Sequence, residues 1–159
     1  MKTVFPATLS WILLSACCGF FLCLAGDMPG DFTGHDLNCR GEIFLEVSGL
    51  ESESGVVRVS LFDSRENWNR KKDSFRHVAM PVADGRAVAL FHDIPPGIYA
   101  VMLYHDSNGN DMFDTNFMGI PVEDYGFSNN VRPFFSLPSF RSASFMVGCG
   151  RVRLNISVQ

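Results

Sequence analysis

At 159 residues, with 17 Asp and Glu against 13 Lys and Arg, the chain is long enough for one domain with a packed core. Its formal charge of −4 leaves no electrostatic footprint for nucleic acid. A hydrophobic content of 47% excludes a solvated, unfolded polymer.

Residues 1–25 read as a signal peptide. Lys2 is followed by an apolar run with no acidic or basic side chain before Asp27. Cys23-Leu24-Ala25 before Gly26 offers a cleavage site. Leu14-Ser15-Ala16-Cys17 resembles a lipobox and would lipidate Cys17, although the apolar Gly19-Phe20-Phe21-Leu22 that follows is unlike a polar lipoprotein tether. Left uncleaved, Val4–Ala25 approaches the length of a membrane span. Export is common to all three readings, with a soluble periplasmic or secreted product first and a lipid anchor at Cys17 second. Membrane attachment is expected only through an uncleaved signal or a lipidated Cys17. Residues 26–40 read as a linker and 41–159 as the folded domain. After residue 25 the chain carries 12 basic and 17 acidic residues.

The domain reads as strands. Ile43, Leu45 and Val47 alternate with Glu42 and Glu46, Val57, Val59 and Leu61 with Arg58 and Ser60, and Arg151–Val158 alternates throughout. A period of two with one wet face means half-buried, antiparallel strands. Glu53-Ser54-Gly55 is expected to join the first two strands as a hairpin. A short helix is placed within Arg65–Ser74. Asp84-Gly85 is a hairpin turn between Val78–Val82 and Arg86–Phe91. Pro95-Pro96-Gly97 turns into Ile98–Tyr104. That strand, Ala87–Phe91 and Ala143–Val147 are continuously apolar and read as central. The expected fold is all-β, an antiparallel sandwich of about seven strands.

Cys39 and Cys149 are the two cysteines after the signal, without CxxC or Cys/His spacing, so a disulfide is expected rather than a metal site. Each precedes a strand, the first and the last. In immunoglobulin-like sandwiches those strands often run side by side, which would bring both cysteines to one end.

From His105 to Arg141 the alternation stops. A loop this long in a compact domain is usually functional or disordered. Met112, Phe113, Phe117, Met118, Ile120, Tyr125, Phe127, Phe134, Phe135 and Phe140 are too apolar for a solvated linker. The loop should fold onto the sandwich, with Pro133–Phe140 covering a sheet edge or an end of the core.

Several motifs together carry a family resemblance. They are Ile94-Pro95-Pro96-Gly97-Ile98-Tyr99-Ala100-Val101, His105-Asp106, Asn108, Asn110, Asp114, Asn116, Gly119-Ile120-Pro121, Glu123, Gly126-Phe127-Ser128-Asn129-Asn130, Pro138-Ser139-Phe140 and Ala143-Ser144-Phe145. The pattern resembles DUF2141, a group of exported bacterial proteins without an assigned activity. The resemblance implies a transthyretin-like or immunoglobulin-like sandwich in the cell envelope, and no chemistry. Asp111 stands where that family usually has glycine.

Asp106, Asn108, Asn110, Met112 and Asp114 occupy positions 1, 3, 5, 7 and 9 of a calcium-loop spacing, in which position 7 supplies a backbone carbonyl. Phe117 stands at position 12, where a bidentate glutamate is usual, so Glu123 or Asp111 would have to supply that carboxylate. The competing reading is an Asn/Gly-rich loop held by side chain to backbone hydrogen bonds. Gly126–Asn130 reads as structural, with Ser and Asn capping local backbone. The domain is therefore expected to be a non-enzymatic module with a possible Ca²⁺ loop. A second reading is an envelope binding module that uses residues 105–141 for a peptide, glycan or protein partner. A third is a hydrolase-type enzyme built on His105, Asp106 and Glu123. His105 and Asp106 are adjacent on a strand and so face opposite ways.

Overall fold

A computed structural model describes residues 38–132 and 136–159. The expected signal peptide, with Cys17, and all but the last three residues of the expected linker lie outside the described residues, as do Pro133, Phe134 and Phe135. Among the described residues eight strands form two sheets: β1 (Gly41–Ser48), β2 (Val56–Phe62), β3 (Arg76–Pro81), β4 (Arg86–Ile94), β5 (Gly97–Asp106), β6 (Tyr125–Phe127), β7 (Phe145–Val147) and β8 (Arg151–Ser157). Two short helices, α1 (Arg65–Arg70) and α2 (Phe140–Ala143), and a 3-10 turn at Ser128–Asn130 complete it. The expected all-β sandwich is the fold observed.

One sheet has the order β4-β1-β8, the other β3-β2-β5-β6, with β7 pairing the start of β5. The alternation read from the sequence sets which face is dry. Ile43, Leu45 and Val47 of β1 lie opposite Phe91, Ala89 and Ala87 of β4 and Val152, Leu154 and Ile156 of β8. With Val57, Val59 and Leu61 of β2 and Tyr99, Val101 and Leu103 of β5 they form the inter-sheet core.

Alternation does not determine the partner, and here two expectations change. Glu53-Ser54-Gly55 makes no hairpin, because β1 pairs with β4 and β8 while β2 pairs with β3 and β5. The connection crosses between sheets. Asp84 (φ 52°) and Gly85 (φ 68°) do form a tight turn, closed by reciprocal Ala83–Arg86 backbone bonds. Both positive φ angles fit a primed turn. Yet β3 and β4 diverge into different sheets, so the turn is a sheet switch.

β1 and β8 run parallel, Glu42 opposite Arg151. Cys39 and Cys149 lie just ahead of this pair and are joined by a disulfide, with 5.3 Å between their Cα atoms.

A second, smaller core lies on the other face of the five-stranded sheet. Trp68 on α1 is fully buried there among Phe62, Phe127 and Phe140. Its indole N–H donates to the Pro138 carbonyl at 2.8 Å. Ser64 caps α1 by accepting from the Asn67 amide, and Lys71 ends it in the left-handed region. This core explains a further correction. Ala143–Val147 is not a central strand: Ala143 ends α2, and β7 is a three-residue strand at an edge. Its apolar character comes from packing into both cores, with Ala143 in one and Val147 in the other.

Candidate functional site

The long segment after β5 carries short regular elements although its alternation stops. It contains β6, the 3-10 turn and α2. Gly126 turns its α-carbon toward the inter-sheet core, where a Cβ would sit 2.7 Å from Ile156 Cγ2. Ser128 is fully buried: its Oγ accepts from Val101 N at 2.8 Å and donates to the Ala143 carbonyl at 2.5 Å. Asn129 donates to the Ser142 and Ser144 carbonyls. Asn130 donates to the Asn155 carbonyl and accepts from Ser157 N, lining the edge of β8. The motif is structural, as expected, but its bonds are long-range rather than local. It fastens β6 to β5, α2 and β8.

The polar loop leaves β5 at Asp106, a fully buried residue. Asp106 Oδ2 accepts from Arg58 Nε at 2.6 Å and from Asp111 N at 3.1 Å, while Oδ1 accepts from Asn110 N at 3.0 Å. A second Arg58 nitrogen pairs with Asp111. Asp111 adopts φ 65°, so the left-handed turn survives without glycine, and the carboxylate it adds engages Arg58.

The Arg58 guanidinium, against the opposing effect of burial and with help from loop amides, holds the Asp106 carboxyl below its ordinary range. A folded-state pKa below the unfolded one means stability that is present above about pH 4 and lost as pH falls through the folded value. Thermal melts between pH 7 and pH 2 should therefore show wild type losing melting temperature in acid more steeply than Asp106→Asn. Parallel curves would remove the assignment. Glu42, lowered by its Arg151 and His92 bonds, adds a slope common to both proteins.

Asp114 and Glu123 complete the cluster. Asn108 Nδ2 and Asn110 Nδ2 converge on one oxygen, Asp114 Oδ2, at 2.7 and 3.0 Å. The amide oxygens take part in Asx turns: Asn108 Oδ1 accepts from Asn110 N, and Asn110 Oδ1 from Met112 N. Glu123 is buried; its Oε2 accepts from Asp114 N at 3.0 Å, while Oε1 is buried with no hydrogen-bond partner. Burial raises the Tyr104 hydroxyl pKa, Arg58 opposes this, and Asp106, Glu123 and Asp114 raise it further. Tyr104, Phe113, Tyr125 and Phe127 continue the rings of the second core to the foot of the loop.

Asp106, Asn108, Asn110 and Asp114 are thus brought together with Glu123. Met112 lies in the same turn with its side chain exposed. Among the described residues no three of His, Cys, Asp and Glu are grouped as a metal site. Any cation would rest on a mixed set of carboxylate, amide and carbonyl oxygens, the donors that calcium takes. Arg58 was not legible beforehand. It comes from β2, 48 residues before Asp106, and only the pairing of Arg58 with Tyr104 reveals it.

The hydrolase constellation does not assemble. His105 faces the inter-sheet side, its Nε2 lying 2.8 Å from the Ser54 carbonyl, while Asp106 points away into the Arg58 cluster.

The fold and this loop define an all-β sandwich module with a polar, carboxylate-bearing loop at the end of its central strand. The chain belongs to DUF2141, described as an uncharacterized protein conserved in bacteria, over residues 45–155. No curated protein and no solved structure matches it. Among the described residues no helix is long and apolar enough to cross a membrane.

Proposed function

We propose that this is an exported, non-enzymatic β-sandwich module whose 106–123 loop binds Ca²⁺. The observation that carries the calcium reading is Glu123 Oε1, a buried carboxylate oxygen without a partner beside a turn rich in oxygen donors. A buried carboxylate oxygen left without a partner is costly, and a cation is the partner that this donor set suits. Asp106 plays a different part from the one its spacing suggested. Three donors already occupy its oxygens, so it anchors the loop, and the remaining acceptor capacity lies at Asp114 and Glu123. Asn108 and Asn110 keep a second lone pair on each amide oxygen and would turn these toward the ion. The apolar leader and the disulfide support export, since disulfides persist in oxidising compartments.

Calorimetry with calcium on wild type, Asp114→Ala and Glu123→Gln tests the site. Heat is expected for wild type, none for Asp114→Ala, and weaker binding for Glu123→Gln. At affinities of about 10⁻⁴–10⁻³ M, usual for extracellular modules, 10 mM calcium (~10–100 times Kd) would add about 1.4–2.7 kcal/mol of stability. No heat and no rise in melting temperature at that concentration would leave a purely structural loop.

A further inference from the structure

Beyond the polar turn the chain forms a small hairpin, closed by a Thr115–Pro121 bridge and a Val122 N to Asp114 carbonyl bond. Its sequence from Thr115 to Val122, Thr-Asn-Phe-Met-Gly-Ile-Pro-Val, has no ionisable side chain. Phe117 is 98% exposed, Met118 68%, Ile120 53% and Val122 64%. Scattered exposed apolar residues are ordinary, but four on one tip are a patch.

We propose that this tip inserts into the boundary between headgroups and acyl chains of a lipid bilayer. Three observations favour lipid over protein. First, the tip satisfies much of its own backbone: Asn116 N donates to the Ile120 carbonyl, Gly119 N to the Asn116 carbonyl, and Met118 N and Ile120 N to Asn116 Oδ1. Hydrocarbon demands internally bonded backbone, whereas a protein pocket can supply partners. Second, Asn116 spends its side-chain oxygen within the turn, which leaves little of the polar rim that fixes register in a protein interface. Third, four side chains fall well short of the roughly 800 Å² per partner of a stable interface, which argues against a second copy of this chain. Asp114 and Asp124, near the tip in sequence, make a surface without net negative charge the preferred one.

The test uses Phe117→Trp in the exported form, from residue 26 onward, read as a difference spectrum against wild type so that Trp68 cancels. Chelator is present throughout, so the outcome does not depend on calcium. Phosphatidylcholine vesicles should shift the emission of the introduced indole to the blue. Adding Ile120→Asp should weaken that partitioning at least about tenfold, given the cost of carrying an aspartate into a bilayer. Substituting phosphatidylglycerol for part of the lipid should weaken it as well. No shift with either vesicle overturns the proposal and leaves the tip for a protein pocket. A shift that Ile120→Asp leaves unchanged overturns it too, because the contact would then be made elsewhere in the chain.

Discussion

Replacing both Cys39 and Cys149 with serine is expected to lower the unfolding free energy by about 4–5 kcal/mol, the largest effect of any change considered for this protein. The bond joins residues 110 apart in sequence. In the chain-entropy description its value comes from the unfolded state, which loses the freedom of that long loop. The native contribution is positional: the bond fixes the starts of β1 and β8, whose parallel ladder runs from Glu42 opposite Arg151 to Ser48 opposite Ser157. Urea titrations of oxidised wild type and the double variant would measure the difference. A loss under about 1 kcal/mol would mean that the reduced chain already holds those ends together.

Trp68→Ala should cost about 3–5 kcal/mol, the range for removing a large aromatic side chain from a packed core. Trp68 is fully buried, touches the rings of Phe62, Phe127 and Phe140, and gives its N–H to the Pro138 carbonyl. Trp68→Phe separates the parts. It keeps most of the apolar volume but leaves a buried carbonyl without its donor, for an expected loss of about 1–3 kcal/mol. Denaturant unfolding of both variants gives the comparison. If Trp68→Ala fell within 1 kcal/mol of wild type, the outer face of the five-stranded sheet would be loosely covered rather than a second core.

Strands whose faces differ in polarity were readable because the difference is written at every second residue, as in Ile43, Leu45 and Val47. Their neighbours were not. The same alternation in β1 is satisfied by β2, β4 or β8, and the choice depends on turns that switch sheets. β6 has three residues, too few for a period to show. The second core was hidden because Ala100, Met102 and Tyr104, which face it, merged with Tyr99, Val101 and Leu103 into one apolar run. In the loop, spacing identified Asp106, Asn108, Asn110 and Asp114 as neighbours, since all lie within one turn of chain. It could not foresee Arg58, which reaches Asp106 across the β2–β5 ladder. In the aromatic run Phe140 packs on Trp68, while Phe117, Met118, Ile120 and Val122 of the preceding hairpin are exposed.

Strand β5 divides its side chains between two dry layers and is flanked by β2 on one edge and by β6 and β7 on the other. Backbone groups in such a strand exchange their hydrogens with solvent only when the whole domain opens, whereas exposed turns exchange through local openings. The carboxylate loop starts at Asp106, the last residue of that strand, and the apolar tip begins nine residues farther on at Thr115, among exposed side chains. Protection should therefore fall steeply over one short stretch of chain. A ligand at the base would meet a surface that is already set, and one at the tip would meet a surface that can adapt.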